Sequence, residues 1–187
     1  TIILADGDFP SHPLALEWLR QCPYVVCCDG AANTYIRSGR MPEAIVGDGD
    51  SLLPDIKERY ASLIHSEAEQ ETNDLSKAFR FCLSQERKRI TIMGATGKRE
   101  DHTIGNVSLL ADYMEQAEVS MMTDYGIFVP IREDSMFESY IGQQISVFNM
   151  NSTALSAEGL AYPLSVFTNW WQGTLNEALA RHFIIRT

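Results

Sequence analysis

The amino-acid sequence predicts an α/β protein: an N-terminal, mostly parallel sheet with flanking helices, followed by a small antiparallel β-sandwich. Three observations lead to this. Up to about residue 125, short apolar β-type runs alternate with stretches whose apolar residues recur at helical spacing. Such alternation marks βα units, whose parallel strands need crossover helices. Beyond that point the helical spacing stops, and short β-like runs separated by Gly, Pro and Asn take over. Two domains are therefore expected, 1–125 and 126–187.

In order, TIIL, YVVCC, AIVG, SLIH, ITIMG and VSMMT are the expected strands of the first domain. Each is short, apolar and rich in β-branched residues, or ends in turn residues. Between them HPLALEWLRQ, AANTYIRSG, PDIKERY, NDLSKAFRFCL and HTIGNVSLLADYM place apolar residues on one helical face. In the second domain YGIFVPI, SMFESYI, QQISVFNM, ALSAEGL and HFIIRT are the β-like runs.

Composition narrows the function. Of 187 residues 45% are apolar, enough for a substantial core, and the formal net charge is −10. That charge excludes a basic nucleic-acid footprint and a polybasic membrane patch. No run approaches the roughly 18 apolar residues of a membrane span. The opening TIILADGDFP reads as a strand and turn, not a signal peptide, and the missing initiator Met implies trimming or preceding residues. Cys22, Cys27, Cys28 and Cys82 form no CxxC pair; Cys27 and Cys28 read as reduced thiols in a buried strand, which fits a cytoplasmic protein.

The chemistry gathers after the expected strands. Asp6-Gly7-Asp8 follows the first, Asp29-Gly30 the second and Asp48-Gly49-Asp50-Ser51 the third. Gln70-Glu71-Thr72-Asn73-Asp74 follows the fourth, and Gly94 to His102 the fifth. Ligands of open α/β sheets bind outside the carboxyl ends of the strands. Asp and Gly are also common turn and cap residues, which accounts for one or two such ends but poorly for the whole series. In an extended segment Asp48 and Asp50 point the same way, and their repulsion calls for a cation. Asp74 and Lys77 share a helical face; the alternative is a capping arrangement with Thr72, Asn73 or Asp74 as N-cap and Lys77 solvated. Gly94 to Arg99 is not a Walker A loop, since Ile92 stands where its first Gly should be and Arg99 where Ser or Thr should be. A turn with Gly94 and Gly97 still offers backbone N–H groups to an anion, and Lys98 and Arg99 add positive charge. Asp101 either caps the next helix or joins the metal site.

The strings CCDGAAN, VGDGDSL, QETNDLSKA, GATGKREDHTIGNVSLL, ISVFNM and GLAYPL, in this order, resemble the thiamine pyrophosphokinase family across roughly residues 2–177. The resemblance implies an α/β catalytic domain, a β-sandwich domain that binds thiamine, Mg²⁺, and a homodimer. It also implies transfer of a pyrophosphoryl group from ATP to the hydroxyethyl group of thiamine, giving thiamine diphosphate and AMP. By resemblance Asp48, Asp50 and Asp74 are the Mg²⁺ ligands. Gln70, Asn73 and Lys77 match a Q-x-x-T/N-D-x-x-K pattern. Arg99 and Asp101 match G-G-R-x-D, with Lys98 in place of the second Gly. Asp29, Gly30 and Asn33 match a D-G-G-A-N turn near the nucleotide. In GTLNEAL, Leu175 replaces the family Ser, so only Asn176 carries over as a thiamine contact. The family usually has another hairpin after this segment, which implies a loop omitted between Ala180 and His182. Asp74 and Asp101 are the candidate proton acceptors, and Trp170, Trp171 and Tyr162 form either an aromatic wall for thiamine or plain core. The alternatives are another Mg-ATP-dependent transferase acting on a different alcohol, and a non-catalytic nucleotide-binding module.

Overall fold

Side chains of adjacent residues in a strand go to opposite faces of a sheet, and here both faces are apolar. In the computed structural model, which describes residues 1–67 and 71–187, strand β1 (Ile2–Leu4) sends Ile2 and Leu4 to one core and Ile3 to another. Strand β2 (Val25–Cys28) divides likewise, Val25 and Cys27 against Val26 and Cys28. Both faces therefore need helices. Helices α1 (Pro13–Gln21), α2 (Ala31–Arg37) and α3 (Pro54–Arg59) cover the first face through Leu19, Ala32 and Ile56. Helices α4 (Asp74–Ser84) and α5 (Glu100–Tyr113) cover the other through Phe79, Leu110 and Tyr113, with Phe79 stacked on Tyr113 at 3.9 Å.

The remaining strands of this unit are β3 (Ala44–Gly47), β4 (Ile64–Ser66), β5 (Arg89–Met93), β6 (Glu118–Met122) and β7 (Ile127–Phe128). The sheet has seven strands in the order β4-β3-β2-β1-β5-β6-β7, all parallel except β7, which is antiparallel to β6. The order reverses at β1, whose neighbours are β2 and β5. The helix starts follow known capping rules: Pro13 and Pro54 occupy first helical turns, and Asn73 caps α4 by accepting from the Ser76 amide at 2.9 Å.

The chain divides into two units, Thr1–Pro130 and Ile131–Thr187. The boundary expected after residue 125 falls before β7. YGIFVPI, expected to open the second domain, instead adds β7 to the edge of the large sheet, because Met121 and Met122 still present unpaired edges there. In the second unit β8 (Ser135–Glu138), β10 (Ser156–Glu158) and β12 (His182–Arg186) form an antiparallel sheet in the order β10-β12-β8. Strands β9 (Gln144–Ile145) and β11 (Asn176–Glu177) form a two-stranded antiparallel sheet. Leu164, Ala178, Phe183 and Ile185, with Phe137, Ile145 and Val147, make its small core. Residues 179–181 lead directly into β12, held by Ser139, whose amide and hydroxyl donate to the carbonyls of Arg181 and Ala180 at 2.8 and 2.9 Å.

Candidate active site

Parallel pairing of β2 with β3 sets Cys28 beside Val46, so the residues that follow each strand emerge together. Asp29 follows β2 and Asp48 and Asp50 follow β3. One carboxylate oxygen from each of the three lies within 4.8 Å of the others. Asp29 is only 3% exposed, while Asp48 and Asp50 face solvent. Asp29 Oδ2 accepts from the Ser51 amide at 3.1 Å, whereas its Oδ1 is buried with no hydrogen-bond partner among the described residues. Burial, opposed by the Ser51 amide and reinforced by Asp50, Asp74 and Asp48, pushes the Asp29 carboxyl up to about 6. Asp50 is held below its usual value, first by the Ser51 hydroxyl and then by contact with Asp29 and Asp48. A buried, unpartnered oxygen beside two exposed carboxylates is the environment a divalent cation relieves, and hard oxygen donors suit Mg²⁺.

The loop holding Asp48 and Asp50 is tied from both sides. Asn33 donates to the Ser51 carbonyl at 2.8 Å and accepts from the Leu53 amide at 3.0 Å. Lys57 donates to the Gly49 carbonyl at 2.6 Å. Asn33, expected near the nucleotide, thus spends both ends of its amide on this loop. Gly30 makes room for Asp6: a β-carbon there would lie 2.6 Å from Asp6 Oδ2.

Asp74 opens α4 and flanks the cluster behind Gly47, where a β-carbon would lie 2.9 Å from Asp29 Cβ and 3.3 Å from the Asp74 carboxyl carbon. The structure therefore groups Asp48 and Asp50 directly with Asp29, and sets Asp74 beside them paired with Lys77 at 3.0 Å. Lys77 is 4% exposed, not solvated as the capping alternative supposed. Of the three capping candidates it is Asn73 that caps, and its Nδ2 donates to the Asn106 oxygen at 3.1 Å. Buried Asn106 in turn donates to the Ala95 carbonyl at 2.8 Å, tying α4 to the turn after β5. Gln70 lies outside the described residues.

That turn, Gly94 to Arg99, is laced to the loop after β1. Gly7 N donates to Gly94 O at 2.6 Å and Asp8 N to Thr96 O at 2.9 Å. Gly94 and Gly97 have φ of +65° and +77°, and a β-carbon on Gly97 would meet Asp8 Oδ2 at 2.1 Å, so the close approach demands glycine. Lys98 donates to Asp6 at the carbonyl and at Oδ1. Arg99 grips Asp101 through two nitrogens, at 3.1 and 2.5 Å, which holds the Asp101 carboxyl below the usual range. Asp101, the second residue of α5, also accepts from the His102 amide at 2.9 Å, while the N-cap position is Arg99 and carries no side-chain cap, so Asp101 does not cap the helix as one of its two expected roles had it. Sequence reasoning placed Asp6 at a strand end without assigning it a role; its pairing with Lys98 spans 92 positions, and only the β1–β5 pairing brings the two together.

In the second unit, Asn176 is 3% exposed; its amide donates to Tyr162 O at 2.8 Å and accepts from the Tyr162 and Glu177 amides at 3.0 and 2.9 Å. It shapes backbone there. Trp170, Trp171 and Tyr162 are at least half exposed, at 53, 72 and 64%, so they are not core. Leu175 sits at φ +61° and is likewise exposed.

The fold and site define a class: an open α/β protein whose strand ends carry a carboxylate cluster fit for a divalent cation, beside a cation-bearing glycine turn. A family profile described as the thiamin pyrophosphokinase catalytic domain matches residues 15–122, and one described as the thiamin pyrophosphokinase substrate-binding domain matches 126–187. The chain belongs to the thiamin pyrophosphokinase family. It is 30% identical over 129 residues to thiamine pyrophosphokinase 1 of Oryza sativa subsp. japonica, covering 56% of this chain and 49% of that protein. It is 34% identical over 86 residues to thiamine pyrophosphokinase of Bacillus subtilis, covering 44% and 40%. The matches thus span about half the length of these curated relatives or less. The crystal structure of the Bacillus subtilis enzyme superposes with a TM-score of 0.76 at 21% identity, covering 99% of this chain and 92% of that one. The Candida albicans thiamin pyrophosphokinase structure gives 0.74 at 20% identity, covering 99% and 85%. At these identities the superpositions speak to fold. Among the described residues no helix is long and apolar enough to cross a membrane.

Proposed function

We propose that this chain transfers a pyrophosphoryl group from ATP to the hydroxyethyl group of thiamine, yielding thiamine diphosphate and AMP. The observation that carries the reading is the convergence of Asp29, Asp48 and Asp50, with an unpartnered Asp29 oxygen, in a chain of this family. Asp48 and Asp50, with Asp29 and the neighbouring Asp74, would hold Mg²⁺. Bound there, the ion supplies positive charge that lets ATP phosphates approach an acidic surface.

The chain's own residues supply the rest. Lys77, held by Asp74, and Arg99, held by Asp101, stabilise charge on the transferred group and on departing AMP. The amides of the Gly94–Lys98 turn would donate to the phosphates. The thiamine oxygen attacks the β-phosphorus, the bond to the α,β-bridging oxygen breaks, and AMP leaves with that oxygen. The alcohol proton goes to a carboxylate. Asp74 and Asp101 are the carboxylates placed to take it, and each is paired with a cation, Lys77 and Arg99 respectively. In the second unit the exposed Trp170, Trp171 and Tyr162 offer π faces to a cationic aromatic substrate. The active species is a cytoplasmic homodimer; four free cysteines fit a reducing compartment, and exposed Ile141, Trp171 and Leu175 fit an apolar contact.

The test is product analysis with Mg-ATP and thiamine. Stoichiometric AMP and thiamine diphosphate support the reading. ADP release indicates a simple phosphotransferase, AMP release only with another alcohol changes the substrate, and ATP binding without turnover makes the chain a nucleotide-binding module.

A further inference from the structure

Asp6 touches two of the loops on which the proposed reaction depends. It follows β1, the strand at which the sheet order reverses. Its Oδ1 and backbone carbonyl accept from Lys98 Nζ at 3.2 and 2.8 Å. Its Oδ2 lies over Gly30, the residue after Asp29, where a β-carbon would stand 2.6 Å from it. Asp6 therefore spans from the carboxylate cluster to the turn that presents Arg99.

Lys98 needs such a hold. It lies at φ +54°, a left-handed conformation that crowds any residue with a β-carbon. Arg99 N donates to Gly97 O at 2.7 Å, closing a three-residue turn centred on Lys98. Three-residue turns with positive φ are rare and strained, and strain of this kind persists only where neighbouring contacts over-determine it. The Lys98 contacts with Asp6 are those contacts, and they join residues far apart in the chain.

The geometry points to Asp6 as a positioning residue: by gripping Lys98 it holds the 97–99 turn in its strained form and sets where Arg99 and the turn amides stand for the nucleotide phosphates. The role rests on the proposed reading that this turn meets ATP. In this role Asp6 acts through Lys98.

The experiment compares the full chain with Asp6→Asn, Lys98→Gly and the double variant. Asp6→Asn keeps size and one acceptor oxygen but loses the charge. KM for ATP is expected to rise by up to about fivefold, the usual ceiling for a solvent-exposed ion pair, with kcat and melting temperature retained. Amide hydrogen exchange over residues 94–99 is expected to quicken. Glycine tolerates positive φ, so in the Lys98→Gly background Asp6→Asn should add nothing, a non-additivity that a merely structural role would not produce. A lower KM in Asp6→Asn, meaning that freed Lys98 grips phosphate better, overturns the inference, as does an equal effect in both backgrounds. Exchange reads the hold without turnover. Unchanged exchange in Asp6→Asn refutes the inference whatever the enzyme does, whereas absence of AMP release in the unsubstituted chain refutes the reaction and leaves a quickened turn as evidence for the hold.

Discussion

Gly47 and Asp29 are packed so closely that a β-carbon on Gly47 would lie 2.9 Å from the Asp29 β-carbon. Gly47 also has φ +153°, which L residues rarely adopt. The end of β3 thus approaches the end of β2 as backbone, and this brings the carboxylates after both strands into one place.

Gly47→Ala should therefore push β2 and β3 apart at their carboxyl ends. Overpacking of this kind costs about 1–3 kcal/mol. The expected outcome is a lower melting temperature together with weaker Mg²⁺ binding by calorimetry. Unchanged values for both would show that the close approach does not organise the cluster.

Asn33→Ala removes two hydrogen bonds that hold the loop bearing Asp48 and Asp50. Two backbone partners, the Ser51 carbonyl and the Leu53 amide, lose their mates, with an expected loss of about 1–3 kcal/mol. Urea unfolding measures it. If Asn33 served the nucleotide alone, stability would stay constant and only ATP affinity would fall.

Asp124 accepts from the Ser11 hydroxyl and from the Ser11 and His12 amides, linking the turn after β6 to the start of α1. The Ser11 hydroxyl first, then the His12 amide, hold its carboxyl below the usual range. With a folded pKa below the unfolded value of about 3.9, the unfolded chain binds more protons in this interval. The contribution is fully present above about pH 4 and is lost as pH falls through the lower folded value. Chemical denaturation of the chain and Asp124→Asn should show a stability gap at neutral pH that narrows on acidification. A gap that widens on acidification would contradict the assignment.

The first unit was legible in the sequence because its central strands β1, β2 and β3 are buried on both faces. Runs such as YVVCC and AIVG, each followed by Asp and Gly, announce themselves without knowledge of their neighbours. Strand β7 was not legible as part of that sheet: two residues carry no periodicity, and its pairing with Met121 and Met122 is decided by the open edge of β6. In the site, Asp48 and Asp50 were readable from their spacing. The place of Asp29 beside them was not, because it depends on the lateral pairing of β2 with β3. Asn33 and Asn176 were read as ligand contacts from their motifs, yet both spend their amides on backbone, a distinction that residue type alone cannot make. Lys77 was expected either in the site or in solvent, and its burial follows from the side of α4 turned toward the sheet.

The central claim is that the acids after β2 and β3 form a metal-dependent phosphate-transfer centre, and Asp50→Asn tests it most directly. Asp50 is exposed and follows β3, so the core should not register a nearly isosteric change. Asn also serves well in turns, so a turn role alone would survive the substitution. The paired measurement is thermal melting without metal and AMP release with saturating Mg-ATP and thiamine. The melting temperature should be unchanged or slightly raised, since repulsion within the cluster is relieved, and turnover should fall on the order of 10²-fold or more from misplaced phosphates. Near-normal turnover in Asp50→Asn, or equal turnover of the unsubstituted chain in EDTA, would contradict it.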